Sequence, residues 1–260
     1  MDPAKIDTTQ ALIAENAAFA ALLRDADPST PVPTCPEWTL EQLMRHVGRG
    51  DRWCAQIVAE QSAEYIDPRT VAGGKPAQGD EIAWLNAGPR ALLDAVQSTG
   101  AQTTVWTFLG PRPAQWWIRR RLHETAVHRA DAALALGAEF RIDPAIAADG
   151  ITEYLERTVV RANEEGPGAG DRPLGEGQSL HLHATDPGLG EAGEWTLLGR
   201  PDGVALDHEH GKATVALRGP ARDLLLAVVR RGAATGPGGL GLEVFGDQAV
   251  WDTWLARTPF

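Results

Sequence analysis

Cysteine is scarce in this chain: Cys35 and Cys54 are the only two among 260 residues. Two thiols cannot build the cross-linked framework of a small secreted domain, and their scarcity fits a reducing cytosol. A basic surplus is also missing, since 24 Lys and Arg face 35 Asp and Glu for a net charge of -11. Nucleic-acid binding needs a concentrated basic footprint, and none is visible, so no nucleic-acid partner is expected. Long apolar runs are absent as well. Nothing approaches the roughly 20 residues that span a bilayer, and the opening Met1-Asp-Pro-Ala-Lys lacks the basic and apolar regions of a leader. The expectation is a cytoplasmic protein with no membrane partner. Lysine itself is rare, with Lys5, Lys75 and Lys212 the only three beside abundant Ala and Gly. That composition suits a GC-rich genome and carries no chemistry.

What is present is apolar material, 43% of residues, enough for one large or two modest domains. The first 160 or so residues repeat their apolar positions at helical spacing. One helix is expected over residues 8–26, with Leu12, Ala18, Phe19 and Leu22 on its apolar side. A second begins after Thr39, which with Gln42 forms a capping-box pattern, and runs to about Gln61. Glycine and proline make 67–80 a loop. A third helix reaches about Ser98, and Gly88-Pro89 inside it predicts a kink or break because proline lacks the amide donor. The fourth starts near Pro113 and stops at Gly137 after Leu136. A fifth covers 144–163.

From there the pattern changes. Residues 166–178, rich in Gly and Pro, read as a linker. Beyond it the period is two, over 179–185, 195–198, 203–208 and 213–218, with Pro201-Asp202-Gly203 as a turn. A helix at 221–231, a strand at 242–245 and a helix at 247–257 complete the chain. The expected architecture is two-domain: an all-α four-helix bundle over 1–165, then a small α+β domain over 179–260.

The segment Arg119-Arg-Arg-Leu-His-Glu-Thr-Ala-Val-His-Arg-Ala-Asp131 carries the most chemistry. His123 and His128 are five apart, about 140° around a helix, so they cannot share a ligand face. Glu124 and His128 are four apart, about 40°, and can converge on one ion. His46, the remaining histidine of the helical part, lies on the second helix, where packing can bring it opposite. Gly50 and Trp53 on its stripe suggest open space and an aromatic wall. Two imidazoles, one carboxylate and an open position compose a catalytic zinc site that admits water or a thiol, although other divalent ions suit the same donors. Taken singly, each residue reads more readily as a surface group or a local i,i+4 pair than as a ligand. The metal reading rests on the three together.

On Thr34-Cys-Pro-Glu-Trp-Thr, on His46 with Gly48 and Trp53, and on Trp117 through Asp131, the chain resembles the mycothiol-dependent maleylpyruvate isomerase family. The resemblance extends to His181-Leu-His-Ala-Thr-Asp186, Gly193-Glu-Trp195 and Gly246 through Trp251. It implies a DinB-like bundle followed by a sterol-carrier-like domain, and zinc held by His46, Glu124 and His128. It also implies mycothiol, a sugar thiol of actinobacteria, as thiol cosubstrate beside a small-molecule substrate. Zinc coordination can deprotonate a thiol whose ordinary pKa is about 8.5. For an isomerase, the thiolate adds to an activated double bond, the single bond rotates, and elimination restores the other isomer. If the adduct is kept, the same chemistry makes an S-transferase of detoxification or specialised metabolism. A non-catalytic metal-containing binding protein is the reading from another class.

Other residues take secondary roles. Arg49, Arg120 and Arg121, together with Trp53, are candidates for holding an anionic substrate, while three successive arginines also suit a solvated face. Asp131 can orient His128 from behind, or pair with an arginine. Cys35 and Cys54 read as packing or surface residues. His181/His183 and His208/His210 each share a strand face; a second metal site is possible there, but solvent-facing or interdomain histidines are the favoured reading. Substrate, oligomeric state and exact metal stay open.

Overall fold

A computed structural model describes residues 6–164 and 172–258. Contacts divide the chain after Phe140, giving a helical unit from Asp7 and a second unit from Arg141. The expected boundary near 165 therefore moves. The helix α5 (Pro144–Glu164) makes its contacts with the sheet side of the chain, against α6 (Ala221–Val228) and β5 (Gly203–Asp207). Helical periodicity marks an apolar face and leaves the partner of that face unspecified.

The helical unit is built from α1 (Thr8–Leu23), α2 (Leu40–Ala59), α3 (Glu81–Thr99) and α4 (Trp116–Ala135). Asp7 caps α1 by accepting from the amides of Thr9 and Gln10 at 3.1 Å each. At the start of α2, Gln42 Oε1 accepts from the Thr39 amide at 2.8 Å, as the capping box requires. Phe19, Leu40, Leu43, Val47 and Leu85 close the core between these helices, each contributing about 1.5–3 kcal/mol by burial. Across α1 and α4, Arg129 clasps Glu15 with Nε–Oε2 at 2.7 Å and Nη2–Oε1 at 3.1 Å.

Of the kink or break expected at Gly88-Pro89, the break does not occur: α3 is continuous. Proline at 89 removes the amide that would have bonded the Leu85 carbonyl, and Asn16 Nδ2 of α1 approaches that oxygen at 3.5 Å instead. Gly88 serves another purpose. A Cβ there would lie 2.8 Å from Asp51 Oδ2, so its absence sets how closely α3 meets α2. The fourth helix starts at Trp116 and not near Pro113, because Arg112–Pro113 (β2) pairs antiparallel with Thr104–Val105 (β1). Two residues are too short a run to show strand periodicity.

The second unit holds a five-stranded mixed sheet ordered β5-β4-β3-β6-β7, with β3 (Ser179–Ala184), β4 (Glu194–Arg200), β6 (Val215–Gly219) and β7 (Glu243–Gly246). Only the β3–β6 pair is parallel. Leu180, Leu182, Trp195, Leu197, Val215 and Leu217 alternate onto one face and are fully buried, beneath α5 and α6. Trp195 Nε1 donates to Thr152 Oγ1 of α5 at 2.8 Å. Asn163 of α5 donates to the Val204 carbonyl at 3.1 Å and accepts its amide at 2.8 Å. The helix α7 (Gln248–Arg257) closes the chain. Residues 166–171 of the expected linker lie outside the described residues. Its remainder packs on the unit: Leu174 is fully buried, and Gly199 exchanges backbone hydrogen bonds with Gly177 and Gln178 at 3.0 and 2.9 Å.

No helix among the described residues is long and apolar enough to cross a membrane.

Candidate metal centre

The stripe argument places Glu124 and His128 together on α4, and the packing of α2 brings His46 onto them. His46 Nε2 lies 2.9 Å from Glu124 Oε1, and His128 Nε2 lies 3.4 Å from the same oxygen. One donor atom from each of the three residues falls within 4.8 Å of the others. The two imidazoles meet edge to face with centroids 4.9 Å apart.

Two of the three donors are held from behind. His128 Nδ1 is 2.8 Å from Asp131 Oδ2, so an Nδ1 proton donated to the carboxylate leaves the Nε2 lone pair facing Glu124. Asp131 is fully buried and also accepts from Thr34 Oγ1 at 2.6 Å. Arg120 of α4 binds Glu124 Oε2, which leaves Oε1 toward the histidines. Burial pushes His46 down to about 3, and the positive fields of His128, Arg121, Arg120 and Arg49 push the same way. Its imidazole is neutral at physiological pH, the form that ligates a metal. The His46 side chain is still 40% exposed, against 5% for His128, so the centre opens at its His46 side.

These features fit a divalent ion with nitrogen and oxygen ligands. Two imidazoles and a carboxylate converge, the outward nitrogen of one imidazole is anchored, and one side is open. A second grouping, Cys35, His128 and Asp131, also lies within metal-binding reach. Within it, Asp131 Oδ2 already faces His128 Nδ1 at 2.8 Å, the contact that orients His128 toward Glu124.

Several sequence expectations change. Trp53 does not wall His46: its indole donates to the Ile66 carbonyl at 2.6 Å and packs among Tyr65, Trp106 and Trp117. The aromatic ring against His46 is Trp38, at 4.8 Å between centroids. Gly50 opens no substrate space either, because a Cβ there would stand 2.7 Å from Arg121 Nη1. Arg120 and Arg121 form no solvated face; they are 6% and 5% exposed. Arg121 is committed inside the helical unit, donating to Asp51 Oδ1 at 2.7 Å and to the Val47 carbonyl at 2.9 Å. Arg49 keeps an accessible role, lining with Arg69 and Lys75 a cavity of about 560 Å³ under the 67–80 loop.

Sequence reasoning missed Thr34, Cys35 and Trp38 as neighbours of the centre. The Cys35 sulfur lies 3.8 Å from Asp131 Oδ2. Only the density of unusual residue types between Thr34 and Trp38 signals them. Cys54 is buried, and burial pushes its thiol up to about 12, so it supplies no thiolate near neutral pH.

Comparison with known families decides where this architecture belongs. Residues 9–133 match the mycothiol maleylpyruvate isomerase N-terminal domain, and residues 145–253 match the C-terminal domain of the same family. The chain belongs to the mycothiol maleylpyruvate isomerase family. The gap between those two matches contains the division after Phe140 seen in the contacts. Two crystal structures of mycothiol-dependent maleylpyruvate isomerase share the fold, each covering 90% of this chain and 95% of the other. A histidine-to-alanine variant is 16% identical with a TM-score of 0.59, and the second structure is 17% identical at 0.54. No curated protein matches the chain.

Proposed function

We propose that this member of the maleylpyruvate isomerase family holds a divalent metal, zinc by preference, at His46, Glu124 and His128. It uses mycothiol as a thiol nucleophile for cis–trans isomerisation of a maleylpyruvate-like substrate. The observation that carries the reading is the convergence of three donor atoms within 4.8 Å from two different helices, in a family named for that thiol.

His46, Glu124 and His128 would hold the ion, which would supply the charge that deprotonates a thiol ligating it. The chain's own residues do the rest. Asp131 fixes the His128 tautomer, Arg120 fixes the Glu124 carboxylate, and desolvation keeps His46 unprotonated. Trp38 covers one side of both imidazoles, with ring centroids 4.8 Å from His46 and 6.1 Å from His128, and keeps water from that side. Arg49, three residues after His46, supplies a guanidinium for a substrate carboxylate. In the reaction a sulfur–carbon bond forms as the carbon–carbon π pair moves onto the conjugated carbonyl as an enolate, the remaining single bond rotates, and the enolate pair rebuilds the double bond as the sulfur–carbon bond breaks and the thiolate is released.

Whether sulfur leaves or stays separates isomerase from S-transferase. Mass analysis of the product of maleylpyruvate incubated with mycothiol and metal-loaded protein tests this. A product of unchanged mass supports isomerisation; a stable thiol adduct overturns it.

A further inference from the structure

The polar face of the sheet carries a second convergence of metal-binding donors. His181 and His183 are two apart on β3 and so share a face, and β4 places Glu194 directly opposite His183 in register. Leu180 and Leu182 take the other face into the core. The chain leaving β5 crosses back toward β6 through His208 and His210. It is pinned over the sheet by His208 Nδ1 against the Glu194 carbonyl at 2.9 Å and by Thr196 Oγ1 donating to the Glu209 carbonyl at 2.8 Å.

Three imidazoles thereby meet one carboxylate. His181 Nε2 lies 2.7 Å from Glu194 Oε2, while His183 Nδ1 and His210 Nδ1 lie 2.6 and 3.2 Å from Oε1. We propose that His181, Glu194 and His210 form a second binding site for a divalent transition metal, independent of the centre at His46, with His183 orienting the carboxylate.

Donor atoms of the three ligands lie within 4.8 Å of one another. A tetrahedral zinc ion asks for about 3.3 Å between ligand atoms at its usual bond lengths. The His181–Glu194 contact of 2.7 Å therefore opens by about 0.6 Å, while the His210–Glu194 contact of 3.2 Å already nearly matches, and the 71%-exposed His210 can adjust with its loop. His181 is buried and His210 exposed, so the site sits at the surface with two ligands on strands and one on the crossing loop. A bound ion would tie that loop to the sheet, a stabilising role that follows from ligand linkage.

The test is titration of the full chain, freed of metal, with Co²⁺ followed by its visible d–d bands, and with Zn²⁺ by calorimetry. Wild type should take up two equivalents, His46→Ala one, His210→Ala one, and the double variant none at micromolar metal. Because His210 is on the surface, its removal spares the core, and Glu194→Gln provides a near-isosteric check on the same equivalent. Stoichiometry unchanged in both His210→Ala and Glu194→Gln overturns the second site. A single wild-type equivalent lost with His46 and kept in His210→Ala also overturns it. A single equivalent lost with His210 and kept in His46→Ala upholds the second site while removing metal from the proposed active centre.

Discussion

Replacing Asp131 by Asn changes one atom and tests how the centre at His46 is oriented. The carboxylate divides its oxygens, Oδ1 accepting from Thr34 at 2.6 Å and Oδ2 facing His128 Nδ1 at 2.8 Å. An amide has a single acceptor oxygen, so one neighbour must face its NH₂ group. If the NH₂ turns to Thr34, whose hydroxyl can rotate to accept, His128 keeps its tautomer and loses only the negative charge behind it. If the NH₂ turns to His128, Nδ1 must accept, the ring proton moves to Nε2, and the lone pair facing Glu124 disappears. Loss of such supporting groups costs about 10–100-fold in metal affinity, or about 1.4–2.7 kcal/mol. The first orientation belongs to the lower end and the second to the upper. The assay is competition with a chromophoric chelator in a His210→Ala background, where only this centre titrates. Melting of the metal-free protein checks that the fold is intact. Affinity within twofold of the parent refutes the orienting role.

The remaining predictions concern the helices that carry the centre. In chelator-treated protein, His46 has a folded pKa of about 3 against 6.5 for the free side chain, so between these values the unfolded chain binds the extra proton. Its contribution to stability is complete above about 6.5 and is lost as pH falls toward about 3. Denaturant melts should show a smaller stability loss between about pH 7 and pH 5 for His46→Gln than for wild type; equal losses contradict the assignment. Arg121→Ala strands Asp51, which is 0% exposed, and should lower stability by about 3–5 kcal/mol in urea melts, with a cost below about 1 kcal/mol counting against a buried pair. Gly88→Ala presses a methyl onto Asp51; overpacking of about 1–3 kcal/mol should exceed the roughly 0.5–1 kcal/mol gained in helix propensity, and a variant more stable than wild type would show that α2 and α3 yield freely.

Much of this structure is legible in local chemistry. The Thr39–Gln42 cap, the alternation of Leu180 and Leu182 with His181 and His183, and the Glu124–His128 stripe each follow from spacing alone, and each is present in the fold. Where sequence reasoning failed, the missing information was tertiary. Trp53 and Trp38 stand seven residues after and eight before His46. Which one meets the imidazole depends on the path of the Pro31–Thr39 segment, set by backbone bonds such as Val32 N to the Trp38 carbonyl at 2.9 Å. Three consecutive arginines look solvated until Asp51 and Glu124 are known to lie beside them. The carbonyl that Pro89 leaves without its helical donor is approached by Asn16, about seventy residues away. The histidines of the second unit read as solvent-facing because strand parity gives the face but not the carboxylate that gathers them.

The most direct test of the central claim is the conversion of maleylpyruvate to its trans isomer by metal-loaded protein, with and without mycothiol, in wild type and His46→Ala. The account predicts turnover that requires the thiol and disappears in the variant while the fold is retained. Thiol-independent turnover, no turnover in wild type, or full activity in His46→Ala would contradict it.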